Sequence, residues 1–450
     1  MKSRIGIWRD RFGSGNASLI VAAAAVGIAT GACATLLKLT IKWITATALS
    51  VTSAVGTDYT TIILPVVGIL LAVTYQRLVL HRDISDGIRL ISQRFADKNY
   101  HYTPRLILAP VIASSITLGF GGSAGSESPI ASAGAAIGGN IAGKFRFSPE
   151  QMMTLIACGA GAGIAGIFKA PVGGALFVIE IFTISLDTIA MSALFVSTTV
   201  SALTAFILSG CTVDMRFSDP EPITSAYIMA VVGAGLFLGL YSTYYAAVMR
   251  FMKKLYAGIK NYWLRGIFSG LTVGLLIFTF PILYGEGYGS VQQLLACTTD
   301  KLIQNSWLSH LALSGYTTTA ITLVIAATVL IVKPFATSST IDGGGVAGDY
   351  APLLMIGSVA GFLFSVAADT LFGIHLPIAD FVFLGMTGVM AGAVKAPLMA
   401  IFLTVEMTCI PSMLLPAAVV ATISYITRII LNGNKSTCTD IRRDPKNIYN

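Results

Sequence analysis

The chain has 450 residues, 55% hydrophobic and only 11% charged, with mean hydropathy +0.78 and a formal net charge of +8. Soluble domains carry about 25% charged residues, so charge this sparse cannot cover a water-soluble globule, and the chain reads as an integral membrane protein. Six cysteines without a CxxC or a His/Cys cluster argue against a zinc site and a disulfide framework, and basic residues at the ends of apolar spans argue against a nucleic-acid partner.

In chain order, a basic start (Lys2, Arg4, Arg9, Arg11) precedes an apolar run from about Ala17 to Leu37. That run is too long for a signal-peptide core and reads as the first membrane helix. Further apolar stretches lie at roughly 59–80, 104–120, 129–143, 150–168, 170–187, 189–210, 223–250, 264–284, 317–333, 351–370, 376–394, 396–408 and 411–432. A full span takes about 20 residues, and several of these are shorter and separated by Gly or Pro. Half-spanning helices must hide their exposed backbone ends inside protein, so a compact all-α bundle with broken helices is expected. Basic clusters at the N-terminus, 77–105, 250–265 and the C-terminus place both termini in the cytoplasm by the positive-inside rule. The loop 211–222, with Asp214, Asp219 and Glu221 against Arg216, then lies outside, and 300–316 is the expected outer loop between halves. Residues 433–450 are read as a short cytoplasmic tail, and the whole chain as one membrane domain with no soluble regulatory domain.

The sequence states one signature twice. Residues 121–129 read Gly-Gly-Ser-Ala-Gly-Ser-Glu-Ser-Pro, and residues 344–352 read Gly-Gly-Val-Ala-Gly-Asp-Tyr-Ala-Pro. Downstream, Gly166, Lys169, Ala170, Pro171 and Glu180 return as Gly392, Lys395, Ala396, Pro397 and Glu406, all offset by 226, while Pro129 and Pro352 are offset by 223. Two related halves, 17–210 and 223–432, are therefore expected, with a transport site between them.

Glu127 lies in a Gly/Ser-rich break directly before an apolar run, with Pro129 in the first helical turn. Such a helix start inside the membrane is an anion site, because its free N–H groups and dipole favour negative charge. A glutamate there can occupy the site with its own carboxylate and leave when protonated or displaced by a mobile anion. The second copy predicts another helix start at 348–352, where Asp349 is a candidate cap and Tyr350 presents a hydroxyl, a ring edge or ordinary aromatic packing.

These residues resemble the CLC family of chloride channels and chloride/proton antiporters. Gly125-Ser126-Glu127-Ser128-Pro129 stands for the family's Gly-Arg-Glu-Gly-Pro, Gly138-Gly139-Asn140-Ile141 for GGNIG, and Gly348-Asp349-Tyr350-Ala351-Pro352 for Gly-x-Phe-x-Pro. The two Ala-Pro helices ending at Glu180 and Glu406, and the Gly385-Met386 approach to the second, also match. The resemblance covers nearly the whole chain. It implies a homodimer in the lipid bilayer, an anion pathway in each subunit, and about eighteen uneven helices in two inverted repeats. It makes Glu127 the gating residue and proton acceptor. It assigns anion binding to Ser85, Gly87, Ile88, Gly125, Ser126, Gly348, Asp349, Tyr350 and Ala351. No metal or other cofactor is implied.

Three departures qualify it. The first family motif, Gly-Ser-Gly-Ile-Pro, aligns best with Ser85-Asp86-Gly87-Ile88-Arg89, which puts Asp86 where a serine should be unless Ser85 or backbone N–H groups serve. The family tyrosine near the C-terminus falls at Cys438, a weak donor. The family's internal proton-transfer glutamate falls at Ile181, beside Glu180, whose mate Glu406 points to a structural role. Lys169 and Lys395 read as snorkelling lysines or as attractors of anions, the four histidines as packing or surface residues, and Glu286 as a loop cap. The expectation is transport of chloride or another small anion across a prokaryotic inner membrane by chloride/proton antiport gated by Glu127, with passive conduction as the alternative.

Overall fold

The structure, a computed structural model, describes residues 15–55, 59–182, 187–212, 215, 217, 224–295 and 318–432. Cys438, the 433–450 tail, His310, the basic start 1–11, the loop 300–316 and most of 211–222 lie outside the described residues. The described residues are all-α. Helices run α1 Asn16–Val55, α2 Thr60–Thr74, α3 Gly87–Ala96, α4 Arg105–Gly119, α5 Glu127–Phe145, α6 Pro149–Phe168, α7 Pro171–Phe182 and α8 Thr188–Leu208. They continue as α9 Ser225–Ala257, α10 Tyr262–Thr279, α11 Tyr288–Leu295, α12 Thr318–Asp342, α13 Tyr350–Phe372, α14 Ile378–Val394, α15 Pro397–Thr408 and α16 Leu414–Asn432. Several are long and apolar enough to cross a membrane, while α4, α7, α14 and α15 are apolar but shorter.

Two predicted ends move. The first helix was expected to stop near Leu37 but continues to Val55. Hydropathy falls at Lys38 and Lys42, yet nothing between them and Val55 is Gly or Pro, so no residue stops the backbone. Lys38 finds a place over the Tyr288 ring, 5.9 Å from its centroid. Likewise the helix expected over 317–333 runs on to Asp342, with Pro334 inside it. Lys333, which made the apolar run look finished, is wholly buried because its ammonium donates to Ser123 Oγ (2.9 Å) and to the carbonyls of Leu283 (3.3 Å) and Gly285 (3.4 Å).

The centre is built by glycine. A Cβ on Gly134 of α5 would run into the Gly159 carbonyl of α6, and one on Gly159 into that of Gly134. In the second half a Cβ on Gly357 of α13 would lie 2.5 Å from the Gly385 carbonyl of α14, and the reverse contact is as tight. Gly134 and Gly357 differ by 223, and Gly159 and Gly385 by 226, the offsets of the duplicated signature. Close backbone approach through small residues is how helices associate where lipid removes the hydrophobic driving force. Both pairs are buried on all sides, which places the starts of α5 and α13 deep in the protein.

Lys169 and Lys395 close α6 and α14 in the left-handed region, at φ 57° and 62°. The chain then turns at once into α7 and α15, whose first helical residues are Pro171 and Pro397, where a missing N–H costs nothing. The Lys169 ammonium donates to the Thr212 carbonyl at 2.6 Å. Both lysines therefore end helices in addition to any surface role. The starts of α7 and α15 are capped crosswise. Glu406, near the end of α15, accepts from Val172 N (3.1 Å) and Gly173 N (2.8 Å). Glu180, near the end of α7, accepts from Leu398 N (3.2 Å) and Met399 N (2.7 Å). The pair matched by sequence offset is a reciprocal pair of helix caps, the structural role expected of Glu180.

Candidate functional site

The starts of α5 and α13 meet face to face. Gly125 N donates to the Gly348 carbonyl at 2.7 Å, and Gly348 N to the Gly125 carbonyl at 2.6 Å. Neither cap residue, Ser126 or Asp349, bonds its own helix through its side chain. The first-turn N–H groups are thus left to other partners.

Glu127 takes one of them. Its carboxylate crosses to the other helix, where Oε1 accepts from Ala351 N at 2.8 Å. Glu127 is fully buried, and Oε2 has no hydrogen-bond partner among the described residues. Two glycines make room for it. A Cβ on Gly125 would sit 2.6 Å from the carboxyl carbon, and one on Gly348 would sit 2.9 Å from Oε2. The acid therefore holds the positive end of α13 as a bound anion would, with half of its acceptor capacity unused.

The third helix start joins through Ser128, whose Oγ accepts from Ile88 N at 3.2 Å. Gly87 packs against α5, since a Cβ there would come within 2.8 Å of Ser132 Cβ. Gly87, Ile88, Gly125, Ser126, Glu127, Gly348 and Ala351 are thus brought together by direct contacts. Gly125 and Gly348 spend their N–H groups on each other.

Ser85 and Asp86 are turned to other partners. The Ser85 hydroxyl donates to Asp83 Oδ1 (2.7 Å), as does its N–H (3.0 Å), because a carboxylate two residues back is the strongest acceptor in reach. Burial works to raise the Asp83 carboxyl, but these two bonds, with Arg77 and Arg89 nearby, hold it below its ordinary range. Asp86, aligned with the family serine, is the N-cap of α3 and accepts from Arg89 N at 3.1 Å. Tyr350 is buried with its ring edge-on to Phe177, the centroids 6.1 Å apart. Ile181 is buried apolar packing in α7.

Two site residues escaped the sequence reading. Glu286, read as a loop cap, instead caps α5: its Oε1 accepts from Ser126 N (3.1 Å) and from the Ser126 hydroxyl. Lys333, unremarked in its apolar run, sits beneath the same loop. A lone lysine before a proline inside an apolar helix was the available signal, since an intramembrane charge marks function by default. Among the described residues no group of three or more His, Cys, Asp or Glu could hold a metal ion. The chemistry on offer is anion binding at opposed helix starts, with a carboxylate on a movable side chain seated at one of them.

The chain is similar to several known proteins. Residues 67–428 match the family described as voltage gated chloride channel. The H(+)/Cl(-) exchange transporter ClcA of Klebsiella pneumoniae (strain 342) is 27% identical over 348 residues, covering 75% of this chain and 69% of that one. ClcA of Salmonella arizonae matches with the same identity and coverage. Among solved structures, a slow cyanobacterial Cl−/H+ antiporter superposes with a TM-score of 0.79 at 19% identity, covering 94% of this chain and 96% of its own. A CLC-type fluoride/proton antiporter gives 0.72 at 22% identity, covering 91% and 95%. At these identities the structural likeness is one of fold.

Proposed function

Since the chain belongs to the voltage gated chloride channel family, we propose that it exchanges chloride for protons across a membrane, with Glu127 as gate and proton acceptor. The observation that carries this reading is the Glu127 carboxylate seated on Ala351 N at the start of α13. A carboxylate and a chloride ion compete for the same donors. When Glu127 takes a proton from the outer side it loses the charge that holds it there. It then leaves and admits chloride to the helix starts of α3, α5 and α13. Relatives named H(+)/Cl(-) exchange transporters support the coupling. Passive conduction through the same fold is the second reading, favoured by Ile181 in place of the internal proton glutamate.

The anion contacts fall to backbone N–H groups at Gly87, Ile88, Ser126, Asp349 and Ala351, with Tyr350 lining the site, while Gly125 and Gly348 shape it by bonding each other. The proposal extends to a homodimer in the lipid bilayer of a prokaryotic inner membrane, both termini cytoplasmic, with one membrane domain of two inverted repeats. The crosswise caps of Glu180 and Glu406 and the Gly125–Gly348 bridge support the repeat.

The test is a liposome assay in which a chloride gradient is imposed and external pH is followed. Chloride movement with stoichiometric counter-movement of protons is expected, and chloride movement with none refutes antiport. Glu127→Gln keeps the shape and removes the titration, so proton movement should cease. Unchanged proton movement in that variant removes Glu127 from its role.

A further inference from the structure

Glu127 is not the only carboxylate seated on one of these helix starts. Glu286 occupies the start of α5 through Ser126 N at 3.1 Å and the Ser126 hydroxyl. One of the two opposed helices therefore carries a side-chain carboxylate on its first turn and the other carries one on its cap residue. Glu286 sits in a short loop that follows α10, and two observations set it apart from Glu180 and Glu406, which cap from within helices. The loop bends on both sides of it, with Gly285 at φ 64° and Gly287 at φ 87°, a conformation that side chains disfavour. A Cβ on Gly285 would meet nothing within 4 Å, so one side of this bend is open.

The position is also graded in depth. Ser126, Glu127 and Lys333 are fully buried, while Glu286 is partly exposed. Helix α10 leaves the basic segment 250–265, which the positive-inside rule assigns to the cytoplasm, and the 284–287 loop at its other end is taken as outer on that ground. Around Glu286 stand Lys333 from α12 and Glu127 from α5, both within electrostatic reach, and Asp349 at the start of α13 lies near Glu127. Lys38 of α1 stacks on Tyr288 beyond the loop. Lys333 is held by Ser123 Oγ and by two carbonyls of the Glu286 loop, Leu283 and Gly285.

We propose that Glu286 is a second, outer latch on the anion route: its carboxylate holds the Ser126 donor pair that an arriving chloride needs, and chloride enters when Glu286 swings out on its two glycines. The proposal rests on Glu127 as the inner gate and adds an acid in series with it. Protonation from outside weakens the seat of Glu286 on Ser126, because a neutral carboxyl is the poorer acceptor. External acid therefore opens both acids, and the second contribution survives when the first is removed.

Chloride efflux from liposomes, followed while external pH is lowered from about 7.5 to about 4, separates the two. Glu286→Gln should raise efflux at the higher pH by about tenfold, the weight of one charge-assisted hydrogen bond, and should flatten the pH profile. In Glu127→Gln a residual acceleration by external acid should remain, and it should vanish in the double variant. A flat profile already in Glu127→Gln, or a wild-type profile in Glu286→Gln, overturns the latch. Neither result touches the inner gate, whose failure is read separately as proton coupling retained in Glu127→Gln. Should Glu286→Gln not yield folded protein, Glu286→Asp, one methylene too short to keep its seat on Ser126, must shift efflux in the same direction, and wild-type efflux there refutes the proposal.

Discussion

Removing Glu406 or Glu180 should loosen the protein without changing what it transports. Each carboxylate accepts two backbone N–H groups at the start of the other helix, at 2.7–3.2 Å. Replacing a helix cap by alanine costs about 0.5–2 kcal/mol, and loss of a negative charge from a helix N-terminus adds about 0.3–1 kcal/mol. Glu406→Ala should therefore destabilise by about 2 kcal/mol, roughly a thirtyfold fall in the folded-to-unfolded ratio. Glu180→Ala, with one bond at the exposed surface, should cost slightly less. The twelve residues of α7 or α15 span about 18 Å. The two caps, at Gly173 and Glu180 of α7, lie about 10 Å apart along the helix and share no partner, so the double variant should show the sum of the single losses. Denaturant titration of the purified protein in detergent reads all three, and the liposome assay should return an unchanged proton-to-chloride ratio at temperatures where the variants stay folded. A Glu180→Ala variant with unaltered stability and a changed ratio would refute the capping argument and make Glu180 a proton carrier.

Gly159→Leu should prevent folding, because any Cβ there strikes the Gly134 carbonyl and overpacking of this kind costs about 1–3 kcal/mol or more; failure to recover monodisperse protein is the readout. Gly348→Ala should shift Glu127 from its seat, since the added methyl comes 2.9 Å from Oε2 and from Ser128 N, and chloride efflux should then respond less steeply to external pH. The 80–86 loop should protect its amides less as pH falls. Asp83 sits below its ordinary range in the folded chain, so the stability it contributes is present above the unfolded value and is lost as pH drops through the lower folded one. Hydrogen exchange at about pH 3 and pH 7 checks this, and equal protection at both would refute it.

Much of the site was legible because it is written in backbone-determining residues. The glycines of 121–129 and 344–352 interrupt apolar runs, and Pro129 and Pro352 start the next helices, so the positions of two opposed helix starts follow from local rules. The repeat offsets of 223 and 226 even reappear as the spacing of the Gly134/Gly159 and Gly357/Gly385 contacts. Helix ends were less legible wherever a charge fell inside a helix. Lys38 and Lys333 lower the local hydropathy, and only a partner elsewhere in the fold, the Tyr288 ring or the Ser123 hydroxyl, makes their place tolerable.

By itself, then, the sequence determined membrane class, the all-α duplicated plan and Glu127 as the acid at a helix start, because composition, glycine and proline act over a few residues. Tertiary structure alone decided where each carboxylate goes. Glu127 spans to Ala351, Glu286 to Ser126, Glu406 to Gly173 and Glu180 to Met399, all distant in sequence. Ser85, which stood as a donor for the anion, bonds Asp83 instead. A hydrogen bond is settled by which donors arrive within about 3 Å, and that is known only once the helices have packed.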